Sequence, residues 1–217
     1  MTVEPPLPPR RPEVADDLPP GDADEVVRER LADEVELSGE LTGLAVPSLR
    51  LRGSRLRAAN LSEAQLRGLD ATDLLVQEGS WANAGLDEAS LARVEASGLR
   101  ATGARFTETT LADVTFADCR LDLASFRFAE LDRVVLSDCR LEEADFYGAK
   151  LRFVLFERCV LTGATFETAE LERCELRACD LTGIAGVDRL AGARMPVADV
   201  IQIAGLLATA AGIEVVD

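Results

Sequence analysis

Starting at Leu51, every fifth residue of this chain is apolar, and the phase holds without a slip through Leu56, Leu61 and Leu66 to Leu176 and Leu181. Leu or Phe fills 22 of the 27 positions in that series, in a chain that is 29% charged. The residue two places before each centre is small, as at Ser54, Ala59, Ala64, Cys119, Ala124 and Cys139. The other three positions of each five carry most of the Arg, Asp, Glu, Thr and Gly. Two inward residues spaced by two, followed by a step of three, describe a short extended stretch and then a turn. An α-helix needs intervals of three and four, and a flat strand alternates without the reset. Leucine-rich repeats space their leucines unevenly within longer units. The chain has to coil.

A second period sets the size of one lap. Phe106, Phe126, Phe146 and Phe166 are 20 residues apart, as are Val94, Val114, Val134 and Val154, and Cys119, Cys139, Cys159 and Cys179. A β-solenoid stacks like residues one lap above another, so four fives close one lap and the cross-section is four-sided. Residues 41–184 give about seven laps, and at ~4.8 Å per lap a rod about 34 Å long. Where a centre is small its partner is large: Leu69 precedes Ala71, Val94 precedes Ala96 and Leu99 precedes Ala101, while the bulky Trp81 follows Gly79. Volume is thereby conserved along the channel, as a close-packed interior requires.

Units such as Ala59-Asn60-Leu61-Ser62-Glu63 and Ala144-Asp145-Phe146-Tyr147-Gly148 resemble the motif of the pentapeptide-repeat family: a small residue, a polar one, Leu or Phe, then two variable positions. The resemblance covers about two-thirds of the chain. It implies an all-β fold, a right-handed quadrilateral β-helix with a C-terminal helix for capping and dimerisation. Arg189-Leu190-Ala191-Gly192-Ala193-Arg194 and the Ala-rich segment after it are similar to the C-terminal module of the quinolone-resistance pentapeptide proteins, where that module makes a head-to-head dimer. Carried over here, it implies a homodimer through Val197, Val200, Ile201, Ala204, Leu207 and Ala208.

The two ends depart from the repeat. Residues 1–21 hold seven of the nine Pro, a composition that cannot bury much surface, so residues 1–23 are expected to be a disordered acidic tail. Within it, Pro5 to Arg10 fits a PxxPxR ligand of a polyproline-binding module. Residues 24–40 are expected to form an N-terminal cap segment, with a short polar helix over 24–33 and alternation from Val35 to Leu41 that opens the first coil. In the C-terminal cap, residues 185–217, Pro196 fits the first position of one helix over Val197 to Ala211. That helix is apolar on nearly every side and must be covered on more than one face. The last coil can cover one, and a second copy of the chain the other.

No catalytic, cofactor-binding or metal-binding residue stands out, and the chain reads as a non-enzyme. His, the commonest general base and metal ligand, is absent. The five Cys fall at inward positions without CxxC spacing, where a thiol is a small protonated hydrophobe. With no signal-like N-terminus and no apolar run of membrane-spanning length, a cytoplasmic location is expected. A net charge of −16 disfavours direct contact with nucleic acid or an anionic membrane.

What remains is surface. Phe128, Val135, Tyr147, Phe153 and Leu155 fall in outward registers, and exposed apolar clusters often mark interfaces. The favoured reading is a scaffold that binds a protein partner not identified by the sequence. The alternative, implied by the family, is an acidic DNA-mimic dimer that binds a type II topoisomerase, DNA gyrase, and inhibits or protects it. Charge weakens that alternative, because the repeats, 41–184, hold 23 acidic and 17 basic residues. Duplex DNA carries one charge per ~1.7 Å, and Arg would interrupt any such row.

Overall fold

In the computed structural model, which describes residues 4–216, the chain winds as a parallel β-solenoid of about seven turns. One helix, α1 (Ala23–Glu29), precedes it, followed by β1 (Leu31–Asp33), β2 (Glu36–Glu40), β3 (Arg50–Asn60), β4 (Asp70–Gln77), β5 (Ser90–Ser97), β6 (Thr110–Ala117) and β7 (Glu130–Ser137). The last laps carry β8 (Lys150–Arg152), β9 (Leu155–Glu157), β10 (Glu170–Glu172) and β11 (Glu175–Arg177). A 3₁₀ turn (Val187–Leu190), α2 (Val197–Gln202) and α3 (Ala204–Ala210) close the chain.

Successive strands pair in parallel with a register of 20: Leu51 faces Ala71, Ala71 faces Leu91 and Leu91 faces Leu111. Bridges on the remaining sides keep the same step, Asn60 to Ser80 and Gln65 to Gly85 among them. All four sides are therefore laddered, and the lap read from the Phe and Cys columns is the lap of the structure. The register shortens at both ends. Leu37 faces Leu56, with a shift before Gly39, which faces Ala59, and Glu175 faces Arg194. The ladder thus already includes β1 and β2.

Every centre from Leu51 to Leu181 is buried except Leu171, which is partly buried against the core. Inside, the rings of Phe106, Phe126, Phe146 and Phe166 stack with centroids 4.9–5.0 Å apart and planes within 4°. Phe156 meets two of them edge-on. The exchanged pairs Leu69/Ala71, Val94/Ala96 and Leu99/Ala101 are all buried. Gly79 is required by space as much as by its φ of 92°, since an added Cβ would lie 2.3 Å from the Ala59 carbonyl oxygen.

Each five-residue side ends in a corner residue with positive φ, for example Glu63 (60°), Asp113 (59°) and Phe128 (56°). For a residue with a Cβ this conformation costs about 1–2 kcal/mol. It is held by the ladder: the Glu63 N–H donates to the Ala82 carbonyl at 2.8 Å and the Phe128 N–H to the Tyr147 carbonyl at 3.0 Å. Corner side chains point away from the channel, and the corners are where function can be mounted.

Candidate interaction surface

Charged residues at outward positions pair from lap to lap. Arg93 donates to Asp73, Arg133 to Asp113, Arg158 to Asp138, Arg152 to Asp132 and Lys150 to Glu130, each 20 residues back. The side that contains β8 and β10 carries seven acids and seven bases between residues 50 and 173, and none of the other three sides has an acidic excess above two within the repeats. Among the described residues no face presents an unbroken row of carboxylates.

Among the apolar residues expected outside, Phe128 stands at a corner and is 49% exposed, whereas Val135, Tyr147, Phe153 and Leu155 are half-buried. The structure gathers them into two groups. Phe128 meets Tyr147 edge-on at 5.6 Å, and the Arg127 guanidinium lies 4.4 Å from the Tyr147 ring centre. The Phe128 ring covers Gly148, where a Cβ would lie 2.7 Å from it. In the second group Val135 and Leu155 are register partners on adjacent laps, and Phe153 sits between the guanidinium groups of Arg152 and Arg173, each 5.5 Å from its centre. The side bearing Glu130, Asp132 and Lys150 separates the groups. Leu123, 58% exposed at the next corner, was not singled out by sequence, although its place two after the centre Leu121 marks it as a corner residue.

The Pro-rich N-terminus, expected to hang free of the rod, is laid along it; residues 1–3 lie outside the described residues. The Arg10 N–H and its Nε donate to Asp113 at 3.1 and 2.8 Å. The Glu13 N–H donates to Asp73 at 3.0 Å, and Glu4 pairs with Arg173 at 3.2 Å. Arg55, in an outward register, is buried beneath this strap and donates to the carbonyls of Ala15 and Asp16. Composition misjudged the segment because its partners are polar groups of the rod and not a core of its own. Asp113 has a side chain only 1% exposed. Burial works to raise its pKa, but the hydrogen bonds from Arg133 and Arg10 outweigh this and hold the carboxyl well below its usual range.

At the other end, the single helix expected over Val197–Ala211 is two short ones. The break is at Ile203 (φ −106°, ψ 10°), which is 1% exposed. Turning Ile203 into the mouth of the channel takes its backbone out of helical geometry, and Gly205 lies two residues on. Gln202 closes the open edge of the last lap, its Nε2 donating to the Cys179 carbonyl at 3.2 Å and its Oε1 accepting from the Leu181 N–H at 3.4 Å. Of the residues assigned to a dimer contact, Val197 (77%), Ile201 (69%), Val200 and Ala204 are exposed, whereas Leu207 and Ala208 are half-buried. Leu206 and Ile213 add further exposed apolar surface there.

Besides the hydroxyls of Ser54 and Thr109, the interior carries five thiols. All five Cys are buried, and each points its Sγ at a backbone carbonyl, as Cys159 does to Leu136 at 3.3 Å. Burial pushes the Cys174 thiol up to about 11, and neighbouring thiols together with burial raise Cys139 and Cys179. Among the described residues no group of three His, Cys, Asp or Glu could hold a metal ion. No helix among them is long and apolar enough to cross a membrane.

Residues 100–166 match the model of a family described as pentapeptide repeat region. No curated protein matches the chain. Among solved structures, HetL, a pentapeptide repeat protein involved in heterocyst differentiation regulation from the cyanobacterium Nostoc sp. strain PCC 7120, is 20% identical over 77% of this chain and 90% of its own, with a TM-score of 0.39. A trypsin-treated form of QnrB1, a plasmid-mediated fluoroquinolone resistance protein, is 18% identical over 86% of this chain and 90% of its own, with a TM-score of 0.42.

Proposed function

We propose that this chain, whose residues 100–166 match the pentapeptide repeat region, is a non-catalytic scaffold whose outer corners bind another protein. The observation that carries the reading is the Arg127–Phe128–Tyr147 cluster. The corner conformation at Phe128 turns a large ring outward, half exposed, where most corners carry charge, Gly or Thr. Aromatic rings with an adjacent Arg are the side chains that most often dominate binding energy at protein interfaces. Leu123 at the next corner widens the apolar surface. The test is capture with the purified protein as bait: a specific partner retained by the wild-type chain is expected to be lost with Phe128→Glu. Retention of every partner by that variant would remove the assignment.

The second element of the reading is a homodimer through the C-terminal helices, supported by apolar exposure at Val197 and Ile201 beside the buried Ile203. Light scattering is expected to give twice the 23.3 kDa chain mass, falling to one chain with Ile201→Asp. A monomer at high concentration would end that proposal. Arg interrupting the acidic rows on every side argues against DNA mimicry, so purified gyrase is expected to supercoil unchanged in the presence of this protein. Inhibition or drug protection would replace the scaffold reading with the mimic.

A further inference from the structure

The strap follows the rod with a period that matches it. Asp113 and Asp73 occupy the same corner two laps apart and accept backbone N–H groups from Arg10 and Glu13, three residues apart. Three residues of polyproline II rise about 9.3 Å, and two laps rise about 9.6 Å. Along the strap, Pro6, Pro9 and Pro12 are half-buried while their neighbours Pro5, Leu7, Pro8, Arg10, Arg11 and Glu13 are exposed, again a period of three. A polyproline-II segment makes no hydrogen bonds within itself, so its N–H groups are free to be read. Each reading carboxylate is held from the far side by an Arg one lap on, Asp73 by Arg93 and Asp113 by Arg133. The unit is thus built twice. At the first of the two, the Arg10 side chain adds a contact of 2.6 Å to the buried Asp113.

We infer that this corner, Asp73–Arg93–Asp113–Arg133, is a binding site for polyproline-II peptides of the form Pro-Arg-Xaa-Pro-Xaa, and that residues 9–13 occupy it in cis. Proline is required one place before each donor, where its ring lies against the rod and lacks an N–H that would need a partner. Arg is required at the donor that meets Asp113, and any residue other than Pro at the donor that meets Asp73. A partner carrying such a segment competes with the strap. Pro9 and Arg10, the last two residues of the motif that sequence alone offers to an external module, are here engaged by the chain's own rod, and the site stands apart from the Phe128 cluster and survives if that assignment fails.

The probe is a fluorescent synthetic peptide of residues 4–16, titrated into the full chain and into a double variant, Arg10→Glu with Glu13→Pro. The variant reverses the charge that faces Asp113 and deletes the N–H read by Asp73. Neither residue belongs to a lap, and the far-UV signal of the rod is expected to be unchanged. The double variant should bind the peptide at least tenfold more tightly than the wild-type chain, whose site is filled. A peptide bearing the same two changes should bind at least tenfold more weakly than the unaltered one. Equal binding by the two chains, or equal binding of the two peptides, overturns the inference. Association of the wild-type chain that is lost in the double variant would overturn the cis assignment, because it would place the strap in a second copy.

Discussion

Asp113 shows how this rod treats a buried charge. Its carboxylate is desolvated, yet Arg133 from the next lap and Arg10 from the strap hold its folded pKa below that of the unfolded chain. A group with a depressed folded pKa contributes stability that is complete above its unfolded value, about 3.9, and is lost as pH falls toward the folded one. Wild type should therefore be more stable than Asp113→Asn by about 1–3 kcal/mol at pH 7, with the gap closing below about pH 4, as read by thermal unfolding across pH. Side chains of one kind separate by position in the same way. Phe146 is stacked on both faces inside the channel, so Phe146→Ala should cost about 3–5 kcal/mol. Phe128→Ala, at a half-exposed corner where it meets Tyr147 edge-on, should cost about 1 kcal/mol. Comparable losses in denaturant titrations of the two would contradict the inward and outward assignment. That assignment was legible in the sequence, because a period of five fixes which ring faces in. The partners of Asp113 were not legible, since no periodicity links residue 10 to residue 113.

Elements repeat the contrast. The laps were readable because each is dictated by local five-residue units and confirmed by columns 20 residues apart. The C-terminal segment was less so: its nearly uniform apolar character gave no sign that Ile203 would leave the helix to plug the channel. Gln202, beside it, satisfies the backbone of an otherwise open edge. Gln202→Ala should cost about 1 kcal/mol and speed hydrogen exchange at the Leu181 amide; unchanged exchange there would show that the edge is closed by something else. The strap was missed because Pro-rich composition was weighed without its period. The signal was present, in Pro6, Pro9 and Pro12 each three apart, but it acquires meaning only beside acidic corners spaced two laps apart. Of the expected outward apolar residues, Phe128 alone is exposed while Val135, Tyr147, Phe153 and Leu155 are half-buried in two groups, and the exposed Leu123 was missed.

On the scale of the whole molecule, one channel, four laddered sides and two unlike ends account for what the chain can do. Its interior contains thiols but shields them, so the native protein should leave all five Cys unreactive toward a thiol reagent until denatured; fast labelling of any one would mean that its column is not inward. Opposite charges pair along much of its sides, although Arg100, Arg120 and Arg140 stack as like charges, and in the reading proposed above partners are discriminated at the corners and the ends. All of these assignments descend from the count of residues per lap. Spin labels at Arg52→Cys and Glu172→Cys measure it most directly, since these exposed positions are 120 residues apart on one side. Dipolar spectroscopy should return a narrow distribution near 29 Å, six laps of ~4.8 Å. A broad distribution, or a distance that fits another number of laps, would contradict the solenoid and every surface assignment drawn from it.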